Sequence, residues 1–421
     1  MQYRTACWTQ GHGLEMLDPA AMPDLDTTAW YAFGIPAYVL YVVVEIALAH
    51  RRREKTFGFA ETISNLTCGL GTLTIGLFVG PHVQAAWDFA HDHVAPFRWP
   101  LHGAWKLPAA VVLADFCYYV YHRAGHRFAL FWSIHGVHHQ HEHLNSSVGF
   151  RLEWLADPYA ALFFGLMPLC GVDSTTGFFA ILLLSAYTLT AHSPTMRRPT
   201  FGFLVTPATH GSHHSRDSRY AGKNYGAMLG IWDRLFGTWL EPPPGDTLRA
   251  DIPSISRMHD GVSTQLGLIR ELLAQLSGRP MRERLRVLLS PPIALGPKTP
   301  LREDAELSRP TRVYVLVSFL MTTALGGWLL WLRNPRPFGV ELVVALTVLS
   351  GLYTTGGLLD GRRRAVVDER ARLVFTALVG VGLLAYSSPL GVALAVAALL
   401  GLASSTTLTV PRDARIVDPA E

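Results

Sequence analysis

Histidine is concentrated in three short blocks of this 421-residue chain, and these blocks are the first feature that suggests chemistry. Seven of the eighteen histidines lie between residues 121 and 143, and a further block occupies residues 210–214. Residues three and four apart share one face of a helix, so each block presents several imidazoles together. Imidazole nitrogens suit iron, copper, nickel or zinc. The spacing therefore predicts a transition-metal centre.

Nine histidines are candidate metal ligands, which is more than one ion accepts, so two metal ions are predicted. The candidates are His122, His126, His135, His138, His139, His192, His210, His213 and His214. A single His-x-x-His-His is usually a pair of surface histidines, but three blocks on one side of a membrane favour ligation. His141 and His143 are expected to be peripheral. The histidines expected to lie outside the site are His12, His50, His82, His91, His93, His102 and His259.

Metal-bound imidazoles usually donate their second ring nitrogen to a carboxylate or a carbonyl oxygen. Asp115 lies seven residues before His122 and therefore shares its helix face. The other candidates for this outer role are Glu142, Asn145, Glu153, Asp157, Asp217 and Asp233. For Asp115, capping a helix or reaching towards an interface is an equally good interpretation.

The composition is that of a membrane protein. Hydrophobic residues make up 49% of the chain, charged residues 16%, and the mean hydropathy is +0.22. The net charge of +4 comes from short basic runs beside apolar stretches, which indicates membrane topology rather than nucleic-acid binding. The four cysteines are widely spaced and predict neither disulfides nor a zinc ribbon. Residues 1–26 are polar, so no cleavable signal peptide is expected.

Membrane segments are predicted from apolar runs of about 20 residues. They cover residues 28–49, 63–80, 105–121, 155–172, 177–191, 313–332, 338–359, 373–387 and 390–406. The runs 155–172 and 177–191 are interpreted as a hairpin that enters and leaves from the cytoplasm, which returns His192 and the third block to the first two. Basic runs at 51–53 and 362–364 place that side in the cytoplasm. The predicted fold class is an all-α integral membrane protein with transmembrane helices, membrane hairpins and a cytoplasmic, histidine-rich di-metal cap, in a bacterial inner membrane or its equivalent.

Four regions are predicted along the chain. Residues 1–58 form an N-terminal tail and first anchor, 59–246 carry the histidines, 247–311 form a cytoplasmic linker, and 312–421 hold the C-terminal membrane segments and tail. Residues 265–289 in the linker have helical apolar spacing and five arginines, which fits a helix on an anionic membrane surface or one packed against the cap. The C-terminal segments contain no histidine and are assigned to packing or lipid access.

Four motifs resemble the fatty acid hydroxylase and sterol desaturase superfamily of integral-membrane di-iron oxygenases. They are DFCYYVYHRAGH at 115–126, HGVHH at 135–139, HGSHH at 210–214, and the segment from NYG at 224–226 to WDRLFGTW at 232–239. This core resemblance covers about residues 59–240. The run HHQHEHLN at 138–145 and the GGLLDGRRR turn at 356–364 further resemble the alkylglycerol monooxygenase branch. That branch tends to carry an acidic residue directly after the first motif, where this chain has Arg127.

The resemblance implies an oxidoreductase in which two iron ions activate O2 and attack an unactivated C–H bond of a membrane lipid. The histidines of the three motifs would be the ligands, with His192 a ligand or an outer partner. The expected reaction is hydroxylation of an alkyl chain, including cleavage of an ether lipid through hydroxylation of the adjacent carbon. The alternatives are a sterol or carotenoid desaturase or hydroxylase and, from another class, a metal transporter or storage protein.

An external source of electrons is also implied, because the chain lacks a dinucleotide-binding glycine motif. The resemblance suggests a reduced pterin for the alkylglycerol branch and a separate electron-transfer protein for the wider superfamily. No nucleic-acid partner is expected, and the sequence predicts no particular oligomeric state.

Overall fold

The computed structural model describes residues 34–99, 103–193, 202–215, 217–243, 259–292, 307–331, 337–384 and 389–408. In these ranges the chain is helical, with one isolated antiparallel bridge between Leu204 and Leu229. The α-helices are α1 (Ile35–Arg52), α2 (Phe59–Phe89), α3 (Lys106–Arg127), α4 (Ala129–His135), α5 (Ala156–Phe164), α6 (Leu166–Leu169), α7 (Ser174–Ala191), α8 (Pro207–His213), α9 (Ile231–Leu235), α10 (Gly261–Leu276), α11 (Met281–Leu288), α12 (Arg309–Trp331), α13 (Phe338–Leu359), α14 (Ala365–Leu384) and α15 (Pro389–Ser404). The predicted all-α class is confirmed.

Four of the described helical segments are long and apolar enough to cross a membrane. They are Phe59–Val94, Ser174–Ala191, Arg309–Leu330 and Phe338–Leu359. Their length and composition indicate an integral membrane protein. Of the first predicted segment, residues 28–33 lie outside the described residues, and so do 332 and 385–387 of later segments.

The second helix is longer than the apolar run that predicts it. We expected a segment at 63–80 that stops before Pro81, because proline removes a backbone hydrogen bond and crowds the preceding turn. Instead, α2 continues through Pro81 to Phe89 and is extended by a π-helical turn at Ala90–Val94. Apolar residues on both sides of the proline keep the helical pattern, and helices in a membrane tolerate an internal proline where neighbours satisfy the freed backbone groups.

The helices after the second histidine block, α5 to α7, bring the chain back to the other histidines. Helix α5 ends at Phe164 and α6 at Leu169, and Gly171 in the following turn adopts a φ of +83°. Asp173 then caps α7 by accepting from the Thr176 backbone N–H at 3.0 Å. This cap starts α7 at Ser174, earlier than the predicted 177, so the helix has 18 residues and is long enough to span a bilayer. Its C-terminal end delivers His192.

The predicted single helix at 265–289 is in fact two helices. Gly278, with a φ of +73°, and Pro280 separate α10 from α11. Leu268 and Leu272 of α10 are buried against Trp132 of α4. Helix α10 therefore packs against the histidine-rich cap, which was one of the two predicted arrangements. Helix α11 has no buried residue.

Small residues allow α2 to pack tightly against the segment that follows the second histidine block. A Cβ atom on Gly71 would lie 2.1 Å from Nε1 of Trp154, whereas a Cβ on Gly80 in the same helix would meet nothing within 4 Å. Because overpacking typically costs about 1–3 kcal/mol, Gly71→Ala is expected to lower the thermal unfolding temperature in detergent. Gly80→Ala is the matched control and should leave it unchanged or raise it slightly. Equal effects of the two variants would contradict this packing argument.

Candidate metal centre

The fold brings all nine candidate histidines to one place. His122 and His126 lie on the last turns of α3, and His135 ends α4. His138 and His139 occupy the turn after α4, His192 follows α7 directly, and the third block lies on and just after α8. Helix α8 is fixed by a capping box in which Thr206 and Thr209 satisfy each other's backbone N–H groups.

The histidines form two separate clusters. In each cluster, the atoms available as ligands lie within 4.8 Å of one another. The five-histidine cluster contains His122, His126, His135, His139 and His213, and the four-histidine cluster contains His138, His192, His210 and His214. Both clusters are buried apart from the half-buried His126. Two groups of this kind fit the predicted pair of metal positions.

In the five-histidine cluster, hydrogen bonds determine which ring nitrogen carries the proton. Nδ1 of His122 lies 2.9 Å from the carbonyl oxygen of Tyr225, and Nδ1 of His213 lies 2.9 Å from that of Lys223. Nδ1 of His135 lies 2.8 Å from Oε1 of Glu153. Since these oxygens accept, the three Nδ1 atoms donate and the Nε2 atoms keep a lone pair. No hydrogen-bond partner faces the buried Nε2 atoms of His122, His126 and His213 among the described residues.

In the four-histidine cluster, lone pairs face one another directly. Nδ1 of His138 donates to the carbonyl oxygen of Arg151 at 3.2 Å, and Nδ1 of His192 donates to that of Thr188 at 2.9 Å. Their Nε2 atoms are 3.1 Å apart, and neither carries a proton in these tautomers. The Nε2 atom of His210 lies 2.9 Å from that of His192. A cation among these nitrogens relieves the repulsion, so the donor set fits a transition metal.

Burial keeps His192 and His213 neutral, as metal ligands must be. It lowers the pKa of His213 from 6.5 to about 3 and that of His192 to about 4. Burial also lowers the pKa values of His138, His139, His210 and His214 well below the ordinary value, with neighbouring histidines adding to the effect.

The lowered pKa values predict that the metal-free protein is sensitive to acid. Below about pH 6.5 the unfolded chain takes up protons on histidines that stay neutral in the folded chain. The free energy of unfolding therefore decreases as the pH is lowered. Each such histidine contributes up to about 1.4 kcal/mol per pH unit, down to about pH 4 for His192 and about pH 3 for His213. Melting temperatures of chelator-treated protein between pH 8 and pH 5 test this, and a flat profile would contradict it.

One of the seven predicted outer side chains contacts a cluster histidine directly. That residue is Glu153, which is 4% exposed and lies against His135. Asn145 instead caps the short 3-10 helix at Ser146–Phe150, and Asp217 pairs with Arg219 at 2.6 Å on the surface. Asp157 lies on α5, facing α2 near Gly76. The backbone N–H of Glu142 donates to Glu61, whose carboxylate also binds His143.

The remaining two candidates act at one remove from the histidines. Asp115 accepts hydrogen bonds from the backbone N–H of Met228 at 2.9 Å and from Nε1 of Trp232 at 2.8 Å. Asp233 accepts from the backbone N–H of Tyr225 at 2.8 Å. Both carboxylates therefore fix the segment whose Tyr225 carbonyl binds His122.

Asn224 supports the metal centre, although asparagine is not one of the ligand types predicted from the sequence. It is fully buried, has a left-handed φ of 59°, and its Nδ2 donates to Ser212 Oγ of α8 at 2.8 Å and to the Leu240 carbonyl at 2.7 Å. The carbonyls on either side of it, at Lys223 and Tyr225, accept from His213 and His122. The Asn-Tyr-Gly motif is the sequence signal for this turn, since asparagine is among the few residues that adopt that backbone readily.

His141 is not peripheral in position. It is 5% exposed, and its Nε2 lies 2.9 Å from Nδ1 of His214. Glu61 of α2 holds this loop by accepting from the backbone N–H groups of Glu142 and His143. His143 is more exposed and binds Glu61 rather than a cluster histidine. The sequence offered no signal that separates these two histidines.

The other histidines expected to be uninvolved lie elsewhere where they are described. His50, His82 and His93 are exposed, His91 pairs with Asp92, and His259 pairs with Asp360. His12 and His102 lie outside the described residues. Arg127, at the position after the first motif, is exposed at the end of α3.

Comparison with known proteins supports the resemblance. Residues 107–238 match the fatty acid hydroxylase family. The alkylglycerol monooxygenase of Danio rerio is 25% identical over 82% of this chain and 80% of its own length. That of Caenorhabditis elegans is 24% identical over 54% of this chain, and the match spans 44% of that relative. The ornithine lipid hydroxylase of Rhizobium tropici is 31% identical over 42% of this chain and 53% of its own length.

No solved structure matches the chain. The matched residues include all three histidine motifs, His192 and the segment between the third motif and Thr238. These matches indicate that the chain is an oxidoreductase of the monooxygenase kind.

Proposed function

We propose that the protein is a membrane-bound di-iron monooxygenase that uses O2 to hydroxylate the alkyl chain of a lipid. The observation that carries the proposal is the pair of buried histidine clusters whose Nε2 lone pairs converge. Iron bound by the five-histidine and four-histidine clusters would supply the oxygen activation that an unactivated C–H bond requires. The nine candidate histidines are the proposed ligands.

The chain's own contribution is to fix and shield these ligands. Backbone carbonyls and Glu153 hold five of the ligands in the Nδ1–H tautomer, so their Nε2 lone pairs are free to bind a metal ion. These five are His122, His135, His138, His192 and His213. The ring of Trp132 packs against His126 and His139, with centroids 5.1 and 5.4 Å apart, and Tyr225 covers His122 and His213 at 5.6 Å. These aromatic rings exclude water from the nitrogens, which strengthens electrostatic interactions inside the centre.

The substrate class rests on the relatives. Their names describe action on alkylglycerols and ornithine lipids, both of which are lipids. The match to an alkylglycerol monooxygenase covers most of both chains, so we favour an ether lipid that is cleaved through hydroxylation of the carbon next to the ether oxygen. Electrons would come from a separate donor, either a reduced pterin or an electron-transfer protein.

We infer that the histidine clusters face the cytoplasm, because the positive-inside rule favours a cytoplasmic position for the basic runs after α1 and after α13. On that side, a lipid tail from the bilayer and a soluble reductant can both reach the centre. Accessibility of single cysteines introduced at exposed positions such as Arg127 and His93, measured in intact cells and in inverted vesicles, tests the orientation.

The decisive experiment measures metal and product together. Protein purified in detergent should contain about two iron ions per chain and should consume O2 when given a 1-O-alkylglycerol and a reductant. The product should gain one oxygen atom or be an aldehyde and free glycerol; a loss of two hydrogens would indicate a desaturase. Zinc as the sole metal, with no oxygen uptake, would contradict the proposal. Iron transport into proteoliposomes would favour the transporter alternative.

A further inference from the structure

The C-terminal helices, which carry no histidine, are joined to the cap at the start of α10. The turn between α13 and α14 supplies Asp360, whose Oδ1 accepts from the backbone N–H of His259 at 2.9 Å and lies 2.9 Å from its Nδ1. Arg362 in the same turn pairs with the fully buried Asp260 and donates to Oγ of Ser263 at 3.1 Å. Two charged residues of the turn thus bind three residues around the α10 N-terminus, namely His259, Asp260 and Ser263.

The backbones themselves are in direct contact at this junction. A Cβ atom on Gly356 would lie 2.0 Å from the Cα of Asp260 and 2.4 Å from the carbonyl oxygen of His259, so only glycine fits there. Asp260 also caps α10 by accepting from the Ser263 backbone N–H at 2.7 Å. The GGLLDGRRR motif therefore has a structural task, which is to fix where α10 begins.

One turn into α10, Gln265 reaches the backbone of the cap. Its Oε1 accepts from the backbone N–H of Trp154 at 2.8 Å, and its Nε2 donates to the carbonyl oxygen of Leu152 at 2.9 Å. These two peptide groups flank Glu153, the carboxylate that lies 2.8 Å from Nδ1 of His135. Gln265 is 5% exposed and Glu153 4% exposed, so water does not compete for these hydrogen bonds.

Helix α10 is also in contact with the second histidine motif. A Cβ atom on Gly136 would lie 2.5 Å from Cδ1 of Leu268, and Leu268 packs on Trp132 beside the five-histidine cluster. A buried amide that uses both of its ends on the peptide groups around one metal-centre carboxylate has a more specific effect, because it fixes the position of that carboxylate.

We propose that Gln265 is a positioning residue for the five-histidine cluster, and that the C-terminal helices hold it there through the Asp360–Arg362 turn. Gln265 touches no metal ligand; it acts through the backbone of Glu153, which orients His135. The inference rests on the proposed function, because it assumes that the cluster binds a metal ion. It gives the C-terminal helices a part in setting the metal centre, in addition to packing in the membrane.

The test compares Gln265→Met with wild type in full-length protein that has been stripped of metal and titrated with Fe(II). Methionine preserves volume and removes both hydrogen bonds. Since outer partners of metal ligands change affinity by about 10- to 100-fold, we expect the affinity for one of the two iron ions to fall about tenfold. Mössbauer spectra of the 57Fe-loaded variant should show a change in one iron environment and an unchanged second one.

Two further variants separate positioning from general stability. Asp360→Asn keeps the Gln265 side chain but weakens the contact between the α13–α14 turn and α10. It should lower the affinity for the same iron ion by a smaller factor. Arg270→Ala, at an exposed position of α10, is the matched control and should behave as wild type. Melting temperatures show whether each variant is folded; if Gln265→Met does not fold, Asp360→Asn carries the test.

The outcomes distinguish this inference from the proposed function. Wild-type protein that binds no Fe(II) contradicts the proposed function, and the inference with it. Wild-type protein that binds two ions, with unchanged affinities and spectra in both Gln265→Met and Asp360→Asn, contradicts the inference alone. An equal loss of both ions in these variants also contradicts it, because that result describes a general loss of structure.

Discussion

Alanine at His135 or at His214 is expected to abolish turnover and to remove one of the two proposed iron ions. Each residue belongs to a different cluster, and each is buried and oriented by a hydrogen bond at Nδ1. Loss of a direct ligand should therefore reduce activity by more than the roughly 10- to 100-fold expected when an outer partner is lost. Iron per chain and oxygen consumption with a lipid substrate, both measured on purified variants, test this.

His93→Ala is the matched control, because His93 is exposed in the π-helical turn after α2 and stacks on Phe89 rather than on a cluster histidine. It should keep wild-type iron content and activity. If the His135 and His214 variants retain two iron ions and full oxygen uptake, the clusters are not the catalytic centre. If all three variants lose iron equally, the effect comes from protein stability.

Much of the candidate site was predictable because helical spacing dictates it. The first motif lies at the end of an apolar helix. Helices α5 to α7 return the chain to it, as the order of the apolar segments predicted. The nine histidines chosen from spacing and resemblance are the nine that the fold gathers into two clusters. Helical spacing predicts the ligands because imidazoles at positions i and i+4 project from the same face of a helix.

How the histidines divide between the clusters could not be predicted from the motifs. Each His-x-x-His-His motif contributes to both clusters: His135 and His139 join the five-histidine cluster, whereas His138 joins the other. In the third motif His210 and His214 stay together and His213 crosses over. Around a helical turn, positions i+3 and i+4 fall on opposite sides of position i, so each motif can contribute to both proposed metal positions.

The outer partners were even less visible in the sequence, because several of them are backbone groups. The carbonyl oxygens of Tyr225, Lys223 and Arg151 accept from cluster histidines, and a carbonyl leaves no trace in residue type. Arg151 is itself 1% exposed and donates to the carbonyl of Val137 and to Asn65 Oδ1, which ties the second motif to α2. A buried arginine held by neutral oxygens becomes apparent only once the chain has folded.

Among the side chains that are not proposed ligands, Glu153 is the one whose replacement is expected to have the largest effect. Its carboxylate accepts from Nδ1 of His135, which fixes the tautomer and raises the electron density at Nε2. Glu153→Leu removes the acceptor and leaves a buried N–H unpaired, so iron affinity and turnover should fall by about 10- to 100-fold. Glu153→Gln keeps an oxygen acceptor without the charge and should show a smaller loss.

Asp217→Asn provides the comparison, because Asp217 was an equally good candidate by its place near the third motif but pairs with Arg219 at the surface. Exposed ion pairs contribute little to stability, so this variant should match wild type in iron affinity, measured by Fe(II) titration, and in turnover. The ordering expected for turnover is Asp217→Asn above Glu153→Gln above Glu153→Leu. If Glu153→Leu instead equals Asp217→Asn, the hydrogen bond to His135 has no part in the metal centre, and the backbone carbonyls alone would set the orientation of the five-histidine cluster.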